Sequence, residues 1–181
     1  AGVVLMAVAT AQGAGYALYE GSARGNVDSA GLAAKGGQPG ALYFNPTAIA
    51  DLKGTQIQGG ATVIAPKGCV DTVNPYTGQR QRTKTDENIW TIPALFATHA
   101  LSEDWVLGFG VFSRFGLGAE INQGWPGRYG NYKAIIRAVD LNPSLAWRVN
   151  EKLALSFGVT VRQFDIELAQ KIDAAGMLGL R

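Results

Sequence analysis

The sequence predicts an all-β protein, a stretch of transmembrane antiparallel β-barrel, and three observations carry that expectation. Glycine supplies 24 of 181 residues and charged side chains only 17%, against ~7% glycine and ~25% charge in an ordinary soluble domain. From Thr55 onward the apolar residues recur with period two, as in strands that have one greasy and one polar face. The connections between those strands are alternately long and short, as the outer loops and periplasmic turns of outer-membrane barrels are. An antiparallel sandwich would show the same alternation and bury its apolar face against a second sheet. The asymmetry of the connections favours the barrel.

Residues 1–13 open with an unbroken apolar and small run, Ala1 to Ala11, which has the length of a signal-peptide core and is too short to span a membrane as a helix. Small residues at Ala11 and Gly13 suit cleavage before Ala14. Residues 14–53 mix small residues, isolated charges (Glu20, Arg24, Asp28, Lys35) and turn formers without a sustained period, and read as a compact irregular segment. Within it Asn45-Pro46 marks a turn that opens a short helix over Thr47–Leu52.

Residues 54–181 read as strands. The first covers Thr55 to Ala65, with Ile57, Ala61 and Val63 on one face. A polar stretch from Lys67 to Glu87 precedes the second, Asn88 to Leu101, whose phase is ambiguous and which contains Pro93. A tight turn at Ser102–Asp104 leads to the third, with Trp105, Leu107, Phe109 and Val111 opposite Val106, Gly108, Gly110, Phe112 and Arg114. The fourth alternates most clearly, Val139, Leu141, Pro143, Leu145, Trp147 and Val149 against Ala138, Asp140, Asn142, Ser144, Ala146 and Arg148. A short Asn150-Glu151 turn joins it to the fifth, Leu153 to Arg162. Five strands are too few to close a sheet in lipid, which cannot satisfy an open edge, so these are staves of a larger barrel.

Much chemistry is excluded by what is scarce. The single histidine, His99, and single cysteine, Cys69, provide no metal-ligand spacing, and His99 reads as the polar tip of a strand end. No GxSxG elbow, GxGxxG or GxxxxGK[ST] occurs, so neither a catalytic triad nor a phosphate cradle is expected: no catalytic residue, no metal and no cofactor. The formal charge of +2, from 16 basic and 14 acidic residues spread along the chain, gives no field for nucleic acid.

Several segments, in order, resemble the FadL family of outer-membrane transporters, which includes long-chain fatty acid channels and the toluene and xylene channels. They are Ala14-Gly15-Tyr16-Ala17-Leu18, Ser22-Ala23-Arg24-Gly25, Phe44-Asn45-Pro46, Ser113-Arg114-Phe115-Gly116-Leu117 with Glu120, Trp125-Pro126-Gly127-Arg128-Tyr129, and Leu141-Asn142-Pro143-Ser144-Leu145-Ala146-Trp147. The resemblance implies a monomeric barrel of about fourteen strands in outer-membrane lipid, with residues 14–53 as a hatch inside the lumen. It also implies passive uptake of a hydrophobic ligand with sideways release at a kink in the third strand, which falls at Arg114-Phe115-Gly116. There Gly116 can adopt backbone angles that open the ladder.

By the same resemblance Tyr16, Leu18, Phe112 and Phe115 line a ligand pocket, Arg114 or Arg162 meets the carboxylate of an acidic ligand, and Asn45, Pro46 and Gly116 take part in gating. Phe112 and Phe115 would serve equally to pack the hatch, and the arginines to be solvated lumen charges. The family's Asn-Pro-Ala is Asn45-Pro46-Thr47 here, so the third position departs from the pattern. Fatty acids lead as cargo because arginines lie near the pocket. Aromatic hydrocarbons come next, then a general porin, a structural or adhesive barrel and a lipid-modifying enzyme. Lys171 is a minor candidate for ligand contact, and Cys69 is either a lone thiol or the partner of a cysteine outside this sequence.

Overall fold

The computed structural model describes residues 17–27, 35–74 and 77–179. The leader assigned to residues 1–13, and Tyr16, lie outside the described residues. A short helix α1 (Ala23–Val27) and two 3-10 turns, Pro39–Tyr43 and Pro46–Ile49, come first. The strands follow: β1 (Thr55–Ile64), β2 (Cys69–Val73), β3 (Arg80–Lys84), β4 (Trp90–Ala100), β5 (Trp105–Phe112), β6 (Gly116–Glu120), β7 (Lys133–Asn150), β8 (Leu153–Gly158) and β9 (Val161–Ala169). One helical turn, α2 (Ala174–Met177), comes last.

Every pairing is antiparallel. β1 pairs with β4 and β4 with β5; β5 and then β6 run along one edge of β7, and β8 and then β9 along the other. The staves are therefore β1, β4, β5 with β6, β7, and β8 with β9, an open sheet with the order the sequence predicts. No helix among the described residues is long and apolar enough to cross a membrane.

Three local expectations are corrected. The polar stretch after β1 contains a hairpin, β2 with β3, in which Asp71 faces Arg82 across the strands. The helix expected over Thr47–Leu52 is a 3-10 turn only, with Pro46 at its first position and the Asn45 side chain accepting from the Thr47 N–H at 3.1 Å. The fourth and fifth staves run further than their clean alternation suggests, to Lys133 and Ala169, so they stand well beyond the ~9–11 residues that cross the hydrocarbon.

Register assigns the faces. Leu107 is opposite Leu145, Phe109 opposite Pro143, and Val111 opposite Leu141, all turned outward, and Trp105 stacks on Trp147 with centroids 5.2 Å apart at the short-turn end. Paired aromatics there are what the membrane–water interface favours. The ambiguous phase of β4 resolves the same way, Leu95 outward and Phe96 and Thr98 inward. His99 pairs with Thr55 near the short turn, and its Nδ1 lies 2.7 Å from the Thr55 hydroxyl.

Against the inner face sits an apolar core made by Leu42, Tyr43, Ile49 and Leu52 of the irregular segment with Phe96, Val106, Phe112 and Ala146 of the wall. Gly108 and Gly110 make this contact possible: a Cβ on Gly108 would lie 2.6 Å from both Leu42 and Ile49, and one on Gly110 2.8 Å from Leu42. Polar ties surround the core. Arg148 reaches Asp51 at 2.6 Å and the Ala50 carbonyl at 3.0 Å, the Gly40 N–H donates to Gln58, and the Thr47 hydroxyl lies 2.8 Å from that of Ser156.

Candidate functional site

The third stave is broken by a β-bulge. β5 ends with Phe112 opposite Asp140, and β6 begins with Gly116 opposite Arg137. Ser113, Arg114 and Phe115 thus stand against only Val139 and Ala138, one residue too many, which bends a strand and raises its twist. The Ser113 hydroxyl donates to the Ala138 carbonyl at 2.6 Å and so satisfies a β7 group that the bulge releases. Beyond the bend, Leu117 has a left-handed backbone with φ 84, a conformation that costs a non-glycine residue roughly 1–2 kcal/mol. Gly116, expected to supply the backbone angles that open the ladder, is not at positive φ; the residue with that conformation is Leu117. What Gly116 supplies is room, since a Cβ there would meet Leu18 at 3.2 Å.

The bend parts the third stave from the second. The β4–β5 ladder stops at Leu95 opposite Val111, while β6 pairs only with β7. Trp90 to Pro93 of β4 therefore face β6 across an opening. Further along, Thr85 bridges Ile121 and the Asp86 N–H donates to the Glu120 carbonyl at 2.8 Å, so the opening is a window with a lintel. A cavity of about 250 Å3 occupies it, lined among others by Leu18, Trp90, Phe115, Gly116, Leu117 and Ile136. Its lining also includes outward Val139 and inward Ala138, so it reaches both faces of the wall.

Backbone groups at the bulge that would otherwise serve β4 are taken by the start of the irregular segment. Ala17 bridges Phe115, and the Leu18 N–H donates to the Arg114 carbonyl at 2.8 Å. Tyr43 locks this arrangement by donating its hydroxyl to the Leu18 carbonyl. Burial pushes the Tyr43 phenol up to about 12, so it remains a neutral donor.

Behind the bulge lies a charge cluster. Asp140 has 0% exposure and takes Arg162 in a bidentate pair, 2.6 Å from Nε and 2.8 Å from Nη2. Arg162 stacks over the Phe115 ring at 4.7 Å. Arg114 places its Nε 3.9 Å from the same carboxylate, donates to the Tyr43 carbonyl at 2.6 Å, and lies over the Tyr43 and Phe112 rings.

The structure thus brings together Leu18, Arg114, Phe115, Gly116 and Arg162. Phe112 is adjacent but belongs to the packed core, 1% exposed and in ring contact with Phe96 and Tyr43. Asn45 and Pro46 lie apart, shaping the turn below Ile49. Lys171 donates its N–H to the Arg128 carbonyl, which seats the segment after β9 on the Trp125–Arg128 loop, and Cys69 is an exposed free thiol that accepts from Arg82. Sequence reasoning misses Asp140, Tyr43 and Leu117. The one available signal for Asp140 is that it and Arg162 both occupy inward positions of adjacent strands.

A family model described as outer membrane protein transport protein (OMPP1/FadL/TodX) matches residues 4–180. Among solved structures the crystal structure of a Pseudomonas aeruginosa FadL homologue superposes with a TM-score of 0.57 and 17% sequence identity, over 73% of this chain and 34% of that one. The chain spans about a third of that relative's length. No curated protein matches the sequence. The bulged wall, packed on one face by the irregular segment 35–53, and the near-complete family match agree: the chain belongs to the OMPP1/FadL/TodX family of outer membrane transport proteins.

Proposed function

We propose that the complete protein is a passive channel for long-chain fatty acids across the Gram-negative outer membrane, and that the ligand leaves sideways through the window between β4 and β6. The window carries this reading. Lipid cannot hydrogen-bond a strand edge, so a gap in a barrel wall is costly unless it is used. Here the gap opens onto a cavity with Leu18, Phe115, Leu117 and Ile136 in its lining beside Thr91, Ser113 and Arg137, a largely apolar path for an apolar chain.

Two arginines face the single buried carboxylate of Asp140, which leaves one surplus positive charge behind Phe115. That surplus supports an acidic cargo, with Arg114 or Arg162 as its partner. Asn45 and Pro46 act in gating by holding the turn that packs Ile49 against the wall, and Tyr16 precedes the Ala17–Leu18 contact with the bulge. Transport of this kind requires no bond to be made or broken, so the reading includes no enzyme activity and no cofactor. The barrel acts as a monomer in outer-membrane lipid, with the hydrophobic ligand as its partner.

One observation favours aromatic hydrocarbons instead. Neither Arg114 nor Arg162 lines the cavity, because Asp140 and the Tyr43 carbonyl hold them, and the arginine that does line it, Arg137, is paired with Asp165. Uptake of labelled oleate and labelled toluene by the full-length protein, in a Gram-negative strain lacking its own fatty acid transporter, separates the two. Oleate uptake alone supports the acid channel, toluene uptake alone the arene channel, and uptake of neither sinks both. Gly116→Val crowds Leu18 and narrows the window, so uptake should fall severalfold while ligand still binds at the cell surface.

A further inference from the structure

We propose that Asp140 is the positioning residue of the lateral window, holding the bulge at residues 113–115 in place through Arg162 and Arg114. The proposal rests on the sideways-exit reading and adds the group that sets the shape of the exit.

The bulge has a competitor. If the third stave slid back by one residue, it could continue the register that β5 already keeps with β4, setting Phe115 opposite Thr91 and closing the window. That arrangement would form ladder hydrogen bonds to β4, partly in exchange for those to Ala17 and Leu18, so something must hold the strand out of it. The backbone contacts of Ala17 and Leu18 do part of this, and they involve only the edge of the bulge.

The side chains do the rest. Asp140 comes from β7, directly across from Arg162 on β9, and both its oxygens are engaged by that guanidinium. The fork geometry fixes the plane of the guanidinium, which lies on Phe115 at 4.7 Å. The carboxylate also attracts Arg114, one residue earlier on the bulge, at 3.9 Å. A slide by one residue would carry Phe115 off its cation and Arg114 away from its anion. Asp140 itself is fully buried and does not line the cavity, so it acts through these neighbours rather than on the ligand.

The test uses the full-length protein in lipid vesicles, with Cys69→Ser and spin labels at Thr91→Cys and Ala119→Cys, exposed positions on the two sides of the window. Asp140→Asn keeps the shape and removes the charge. Losing the bulge moves Ala119 from opposite Ala134 to opposite Lys133, ~3.3 Å along the strand, while the two strands close, so the inter-label distance should shift from the parent value, whereas Asp140→Glu should keep it. Asp140→Asn with Arg162→Gln removes both charges together and should show the same shift if the single variant fails to assemble. Phe115→Leu should reproduce the shift, and adding Asp140→Asn to it should move the distance no further, because residues acting as one unit are not additive.

Oleate uptake by Asp140→Asn should lose severalfold in maximal rate with binding no weaker than the parent's, since the freed Arg114 and Arg162 can only favour a carboxylate, a split that general damage to the barrel would not produce. Distances in both Asp140 variants that superimpose on the parent overturn the proposal. If the parent carries neither oleate nor toluene and the distance still shifts, the transport reading fails and the role of Asp140 stands.

Discussion

At the residue scale, glycine at 108 and 110 decides whether the irregular 35–53 segment can touch the wall. Both face inward on β5, where any side chain would enter the space of Leu42 or Ile49. Overpacking a filled core costs about 1–3 kcal/mol, so Gly110→Val should lower stability in urea by that amount and expose the 35–53 segment to trypsin before the barrel unfolds. Unchanged protection would mean that this segment is held by its polar ties to Arg148, Gln58 and Ser156 alone. The excess of glycine is legible in the sequence as a sign of strands, whereas its purpose at these two positions is not, because Leu42 lies far away in the chain. Asp140 is hidden for the same reason. An acid among alternating polar positions looks like any solvated lumen charge until the register sets it against Arg162. Thr47 shows the reverse case, a departure visible in the sequence whose hydrogen bond to Ser156 only the fold reveals.

At the element scale, the fifth stave is interrupted for a reason found in its neighbour. Pro143 of β7 has no N–H to give Val159, although its carbonyl still accepts from the Val159 N–H at 3.1 Å. Asn142 substitutes for the missing donor, its side-chain amide donating to the Val159 carbonyl at 3.2 Å and to the Thr160 hydroxyl at 2.9 Å. Asn142→Ala would leave a carbonyl short of a partner at a cost of about 1–3 kcal/mol. Faster amide exchange confined to residues 158–161 should accompany that loss, and exchange that accelerated throughout the sheet would assign Asn142 a different role. The Asn-Pro pair can be read in the sequence as an irregularity, but the repair needs both strands. The bulge is likewise invisible in one strand, since it consists in three residues facing two. The β2–β3 hairpin escapes notice because β3 is wholly polar and the two valines of β2, Val70 and Val73, fall on opposite faces, so no apolar alternation shows.

Across the whole molecule, the polarity of the wall inverts along its length. On β7 the outward apolar run extends from Trp147 to Val139, a match to the ~9–11 residues that cross the hydrocarbon. Beyond it the outward positions carry ion pairs, Arg137 with Asp165 at 3.5 Å and Lys133 with Glu167. The inward positions of β9 become Phe164, Ile166 and Leu168, exposed on the inner face beyond the irregular 35–53 segment. A polar lumen would serve a porin; apolar side chains lining the outer half suit a cargo that avoids water. This assignment of faces can be checked with two lysines. Phe109 is turned outward opposite Pro143, in the middle of the belt, so Phe109→Lys in the full-length protein should reduce folding stability in lipid vesicles by about 2–4 kcal/mol. Phe164→Lys puts the same charge in the lumen and should change stability by less than about 0.5 kcal/mol, while lowering uptake of a hydrophobic ligand. Urea titration of both variants in one vesicle preparation decides the matter. Equal losses would mean that the faces are not divided between lipid and lumen, and a larger loss at Phe164 would turn the wall inside out.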